Sequence, residues 1–325
     1  MRELEVIERL RRIAKAPEAR GLLDDVATLD TLVLTHDTIA EDVHFLSHDP
    51  PASVGWKLVA VNLSDIASKG ASPLGALLSL TITGPGDWEL DFLDGVEAAC
   101  ESYGLSLIGG DTIGLPVGAP RVLGLTAIGR SGEHVPHRSG ALLGDELWLV
   151  GTVGDAAAGL ALLEENQNAD GPLVDIYRRP VPQLEAGRIL APHAHAMMDV
   201  SDGLLLDARR MADASRCAIR IELDRLPLSS AFVAERGQSL DSRLFAATGG
   251  DDYALLGVFP AKFNPATLSL PSGTRINRIG SIVGAGPRLV LTFGGESIEL
   301  PEKLGFEHES FDTRRLSSSK LGHRP

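Results

Sequence analysis

Two mixed domains of the α/β (α+β) class are predicted for this chain, on three observations. Short β-type apolar runs alternate with segments of helical periodicity through both halves of the sequence. Residues 130–144 are rich in Gly, Ser, His and Pro, a linker-like composition. The length of 325 residues suits two domains better than one. The boundary is placed inside the linker, which gives domains of residues 1–135 and 136–325.

The elements follow in order. Leu4, Ile7, Leu10 and Ile13 recur at helical spacing among charges, so the amino terminus reads as an amphipathic helix; no apolar core of a secretion signal follows. Residues 31–35 (TLVLT) form a short strand ending at His36-Asp37. Residues 53–69 read as a helix, with Ser53 placed to cap it and Gly70 to stop it. A strand at 74–83 is punctuated by Gly84-Pro85-Gly86, and 87–103 is helical. Residues 105–108 read as a buried strand closed by a Gly109-Gly110-Asp111 turn, and 121–129 as a further strand. Beyond the linker, 146–150 is a strand, 155–165 and 183–190 are helices, and 195–198 leads into a turn at Asp199. A helix at 204–214 precedes strands at 218–223, 253–259, 275–279 and 288–293. The polar tail from Ser310 is expected to fray.

Bulk composition excludes several classes. The net charge of −14 disfavours nucleic-acid and anionic-membrane binding, both of which need a basic face. No run approaches the ~18 apolar residues that span a bilayer. Cys100 and Cys217 stand far apart and read as small buried thiols, with no disulfide framework or zinc spacing. A cytoplasmic location is the expectation. The familiar glycine signatures are missing as well: Ala76-Leu77 stands where a P-loop needs Lys-Ser/Thr, and Gly284 and Gly286 lack the third glycine of a dinucleotide fingerprint. No kinase-type catalytic loop occurs. Any use of ATP must run on another scaffold.

Acidic residues instead gather in short clusters near strand ends, helix starts and Gly turns. They are Asp24-Asp25, Thr35-His36-Asp37, Asn62-Leu63-Ser64-Asp65, Gly109-Gly110-Asp111, Asp199-Val200-Ser201-Asp202-Gly203 and Gly249-Gly250-Asp251-Asp252. Carboxylates brought together repel unless protonated or neutralised by cations, and oxygen-only donor sets suit hard divalent ions. The economical reading is a cleft for several Mg²⁺ ions carrying a polyphosphate. Each piece also has a plain local role. Asp65 is spaced to pair with Lys69 on a helix surface. Ser201 or Asp202 could cap the following helix. His44 suits a half-buried structural position, and Arg138 is either solvated or a phosphate clamp.

Taken in order, these segments resemble the thiamine-monophosphate kinase family, of the superfamily that includes aminoimidazole ribonucleotide synthetase. The resemblance runs from about residue 20 to 307. It rests on Asp24-Asp25-Val26-Ala27, Thr35-His36-Asp37-Thr38, Val43-His44-Phe45, Trp56-Lys57, Asn62-Leu63-Ser64-Asp65, Gly109-Gly110-Asp111-Thr112, Arg138-Ser139-Gly140-Ala141, Asp199-Val200-Ser201-Asp202-Gly203, Gly250-Asp251-Asp252-Tyr253 and Gly305-Phe306. The resemblance implies a two-domain aminoimidazole ribonucleotide synthetase-like fold whose amino-terminal domains pair into a β-barrel in a homodimer. It implies ATP-dependent phosphorylation of thiamine monophosphate to thiamine diphosphate. By position, Asp25, Thr35, Asp37, Asp65, Asp111, Asp199 and Asp202 would hold Mg²⁺. Gly110, Asp111, Arg138 and Ser201 would contact ATP, and His44, Asp251 and Phe306 would line the thiamine site. The chain departs from the family pattern at Gly21-Leu22-Leu23, His36, Asp42 and Asp251, the last standing where Glu is customary.

The acceptor implied is a phosphate monoester, largely dianionic at neutral pH because its second pKa is about 6. Such a nucleophile needs no general base, so no catalytic residue in that sense is expected; the task is in-line positioning and charge neutralisation. The alternatives are a purine-pathway synthetase of the same superfamily and a non-catalytic nucleotide- or thiamine-binding regulator.

Overall fold

Residues 3–284 and 286–307 are described by a computed structural model of the protein. The expectation for the tail from Ser310 falls outside the described residues. Along the first half run α1 (Glu3–Arg11), β1 (Ala27–Leu29), β2 (Leu32–Ala40), α2 (Pro51–Ser68), β3 (Ser72–Ile82), α3 (Trp88–Tyr103), β4 (Ser106–Gly114) and β5 (Val122–Arg130). These strands form one sheet in the order β1-β2-β5-β3-β4. β3 and β4 are parallel and linked through α3, while the other pairs are antiparallel.

α2 and α3 lie together. Their closeness requires glycine on both: a Cβ on Gly55 would sit 2.1 Å from the Phe92 carbonyl oxygen, and one on Gly95 would sit 1.9 Å from that of Ala52. α2 is buried from Ser53 to Ser68 except at Trp56, and it carries Lys57, Asn62, Ser64 and Asp65 into the interior. Polar groups so placed must find partners, since burying them unpaired is costly. They are the functional candidates of this half.

The second half comprises β6 (Glu146–Val150), α4 (Asp155–Glu165), α5 (Pro172–Arg178), α6 (Leu184–Leu190), β7 (Ala196–Val200), α7 (Leu204–Ser215), β8 (Ala218–Glu222), α8 (Ser230–Arg236), α9 (Leu240–Thr248), β9 (Ala254–Phe259), β10 (Ile276–Val283), β11 (Leu289–Phe293) and β12 (Glu296–Ile298). Its sheet runs β12-β11-β8-β10-β6-β9-β7 and, like the first, does not close on itself. All residues of β7 and β9 are buried, and α2 packs against β7 and α6, which brings the two halves together. The fold is thus mixed α/β in two domains.

Four expectations change. The first strand does not end at His36-Asp37 but continues to Ala40, held by pairing with β5 along its whole length. Gly109-Gly110-Asp111 is not a turn after a buried strand: it lies inside β4, whose residues are all exposed. Parallel pairing of Leu78 with Gly110 overrides the local turn preference, and a Cβ at Gly110 would lie 2.0 Å from the Leu78 carbonyl oxygen. The cysteines are half-buried and unbridged rather than fully buried. Finally β1, α5, α8, α9 and β12 arise where periodicity signalled nothing, although α8 and α9 each carry a serine cap, Ser229 and Ser239. Among the described residues, no helix is long and apolar enough to cross a membrane.

Candidate functional site

Alternation along β2 sends Thr35 and Asp37 to one side and His36 to the other. The His36 ring nitrogens meet Thr126 Oγ1 at 2.9 Å and Thr38 Oγ1 at 3.2 Å on the exposed face of the sheet, turned from the acids. Thr35 Oγ1 donates to Asp65 on α2, and the Asp37 backbone N–H donates to Asn62 Oδ1 at 3.0 Å. Asp199 on β7 accepts a hydrogen bond from Ser64 Oγ at 2.7 Å. One carboxylate oxygen from each of Asp25, Asp65 and Asp199 lies within 4.8 Å of the others. The loop before β1, α2 and β7, drawn from both halves, therefore converge on one point.

This convergence is electrostatically costly, and the carboxyls respond differently. Burial, then the charges of Asp199, Asp37 and Asp25, push Asp65 well above the usual carboxylate range. Burial and Asp25 do the same to Asp199. Burial with the Asp25 and Asp202 charges raises Asp37 to about 6. Asp25 goes the other way: burial alone would raise it, but Arg138 and Lys69 outweigh burial and hold it well below the usual range. Arg138 Nη2 bonds Asp25 Oδ1, and Lys69 Nζ donates to Asp25 Oδ2 at 2.7 Å, Asp24 Oδ1 at 2.8 Å and the Met197 carbonyl at 2.9 Å. Lys69 thus pairs with the Asp24-Asp25 segment and not with Asp65 on a helix surface. An oxygen-only donor set in a buried, acid-rich cleft fits a hard divalent cation.

The turn at 199–203 is shaped from within its own helix. Neither Ser201 nor Asp202 caps α7, whose N-cap is Gly203. Asp207 instead reaches back and accepts from the Ser201 and Asp202 backbone N–H groups, both at 3.1 Å. Arg210 Nη1 joins Asp202 Oδ2 at 2.5 Å and Asp207 Oδ1 at 2.8 Å. The Asp202 carbonyl accepts from the Phe306 N–H at 2.8 Å, and the Ser201 carbonyl accepts from the Asp251 N–H at 2.8 Å. These bonds bring Ser201, Asp202, Asp251 and Phe306 together. Beside them a cavity of about 420 Å³ is lined by Thr248, Gly250, Lys303, Gly305, Phe306 and Glu307.

The adjacent acids Asp251 and Asp252 diverge. Asp252 turns to α4, where both its oxygens lie 2.9 Å from the Gly154 N–H. Asp251 accepts from Lys57 Nζ at 2.8 Å and from the Tyr253 hydroxyl at 2.9 Å. Lys57 also donates to the His44 carbonyl at 2.9 Å, while His44 Nδ1 accepts from the Ala40 N–H at 3.1 Å. Gly110 and Asp111 stand on the exposed strand β4, and Asp111 is not among the three converging carboxylates. Asn62 and Ser64 stood in an acidic cluster and Lys57 and Tyr253 in the family segments, but motif reading gave them no role; it missed Lys69, Asp207 and Arg210 as site-shaping groups. A signal existed for those on and just after α2: polar residues scattered through an otherwise apolar helix must be buried with partners.

Models of the AIR synthase related protein family match this chain, the N-terminal domain over residues 23–131 and the C-terminal domain over 143–290. Fold and match together define the class, a two-domain protein of the AIR synthase related type. The chain is 35% identical to thiamine-monophosphate kinase of Caulobacter vibrioides over 309 residues, 90% of this chain and 86% of that protein. It is 34% identical to the enzyme of that name from Escherichia coli over 302 residues, 89% of this chain and 91% of that one. A solved structure described as AaThiL complexed with AMPPCP and TMP superposes with a TM-score of 0.81 at 30% identity, covering 95% of this chain and 97% of that one. The chain belongs to the thiamine-monophosphate kinase family.

Proposed function

We propose that this protein transfers the γ-phosphoryl group of ATP to the phosphate of thiamine monophosphate, yielding thiamine diphosphate. The observation that carries the reading is the meeting of Asp25, Asp65 and Asp199 from both halves, beside Arg138, in a chain of this family. The reaction joins two polyanions, so its barrier is charge repulsion and misalignment and not proton transfer. Bound Mg²⁺ would neutralise and orient the phosphates. Asp25, Thr35, Asp37, Asp65, Asp111, Asp199 and Asp202 are the residues assigned to hold it. Arg138, Ser201, Gly110 and Asp111 are assigned to ATP; for Gly110 and Asp111 the support is the likeness of their segment to the family.

His44, Asp251 and Phe306 are assigned to the thiamine moiety; the cavity at Phe306 supports its placement, and Lys57 links Asp251 to the His44 carbonyl. The two domains divide at residues 135 and 136, the first binding ATP and Mg²⁺ and forming the dimer, the second completing the nucleotide and substrate sites. A homodimer with a β-barrel at its interface is supported by the exposed edge strand β4, which presents Leu107, Ile108 and Ile113 to solvent. The protein works in the cytoplasm. Incubation with ATP, Mg²⁺ and thiamine monophosphate, followed by detection of thiamine diphosphate, tests the reading; binding of both ligands without product would overturn it.

A further inference from the structure

Lys57 is a charge in the wrong place for a merely stabilising role. It sits in the middle of α2 with its side chain 2% exposed, where desolvating an ammonium is expensive and an apolar residue of similar volume would serve packing as well. Two of the residues it meets, Asp251 and His44, are those assigned above to the thiamine moiety. The ammonium donates to Asp251 Oδ2 and to the His44 carbonyl, and it lies 4.1 Å from the centre of the Tyr177 ring. The second oxygen of Asp251 accepts from the Tyr253 hydroxyl, so both ends of the carboxylate are oriented. Asp251 holds a left-handed backbone, φ +67°, a conformation that Asp tolerates better than most non-glycine residues. The His44 loop is anchored in turn: Asp49 accepts from the Leu46 N–H at 2.8 Å and from Arg178 Nε of α5 at 2.9 Å. Asp251 remains 26% exposed, so the pair presents its carboxylate outward and keeps the ammonium behind it.

We infer that Lys57 is a positioning residue for the substrate: one ammonium ties Asp251 of the second domain to the His44 backbone of the first, fixing the spacing of two substrate walls. The inference rests on the proposed function and adds a residue to it. Lys57 acts through Asp251 and His44 without touching the reacting phosphates, so its effect falls on recognition of thiamine monophosphate and not on ATP.

A double-mutant cycle tests this. Lys57→Met is expected to raise KM for thiamine monophosphate about tenfold while KM for ATP moves by less than about twofold. Asp251→Asn is expected to raise the same KM at least as much, and the double variant to raise it by less than the product of the two single effects, because the two side chains share a contact. Tyr253→Phe, which removes one hydroxyl, gives a second reading should Lys57→Met fail to fold; a rise of about threefold in the same KM is expected. An unchanged KM for thiamine monophosphate in Lys57→Met overturns the inference, as do equal rises in both KM values or multiplying effects in the double variant. If Lys57→Met does not fold, an unchanged KM in Tyr253→Phe does so. Failure of the unaltered protein to turn over thiamine monophosphate would overturn the proposed function itself, and this inference with it.

Discussion

Lys69 Nζ lies 2.7 Å from Asp25 Oδ2, with the two side chains 0% and 6% exposed. The same ammonium also binds Asp24 and the Met197 carbonyl of β7. One residue after α2 thereby pins the segment carrying Asp25 to the strand carrying Asp199. Burial disfavours the Lys69 charge, but the two aspartates outweigh it and hold its pKa above the usual value.

Removing that cation leaves Asp24 with Arg20 and Asp25 with Arg138 as their remaining cationic partners. Lys69→Met is expected to lower stability by about 1–3 kcal/mol, the cost of the lost charged hydrogen bonds. Urea denaturation of the purified variant checks it.

The converging acids repel each other, so neutralising one should separate function from stability. Asp65→Asn and Asp199→Asn are each expected to cut turnover at least about a hundredfold. In the absence of Mg²⁺ their melting temperatures should equal or exceed that of the unaltered protein, because repulsion is relieved. Calorimetric titration with Mg²⁺ should show weakened binding in both.

Stability without metal should fall as pH rises from about 4 to 6. Burial and the neighbouring carboxylates raise Asp37 to about 6 in the folded state, against about 4 for an aspartate in the unfolded chain, so within that window the folded state holds a proton that the unfolded chain has lost. Asp65 and Asp199 are raised as well and extend the trend upward. Asp25, depressed below the usual range, opposes the trend only near pH 4, where the unfolded chain still holds part of its proton, and adds no slope above about pH 5. Added Mg²⁺ should bind more tightly at higher pH and offset the loss, since carboxylate ligands must be deprotonated. Melting curves against pH, with and without Mg²⁺, test both statements.

The α2–α3 contact depends on missing side chains. Gly95→Ala would push a methyl group to 1.9 Å from the Ala52 carbonyl oxygen, and the helices must part. A loss of about 1–3 kcal/mol is expected, measured by thermal or chemical denaturation.

If β4 forms the subunit interface, a charge on it should dissociate the assembly. Ile108→Glu, at a side chain 61% exposed in the single chain, is expected to shift the protein from dimer to monomer in sedimentation.

Several residues of the candidate site, among them the three acids that meet, Asp25, Asp65 and Asp199, were legible before any fold was known. The Asp199-Val200-Ser201-Asp202-Gly203 cluster stands out because three polar groups in one turn exceed what capping needs, and Asn62-Leu63-Ser64-Asp65 through its place in the ordered series of segments. Alternation of apolar runs placed most strands and helices, and the order of the motifs identified the family. Tertiary structure alone decided which acids meet, and that Lys69 answers Asp24, 45 positions earlier, instead of Asp65 one turn away. It also drew Gly109-Gly110-Asp111 into an exposed strand and bound Asp207 behind the Ser201 turn. The reason is physical. Periodicity and turn chemistry register neighbours within a few residues, whereas the cost of burying charge is settled by whichever partners packing brings near, such as Ser64 and Asp199 across 135 positions.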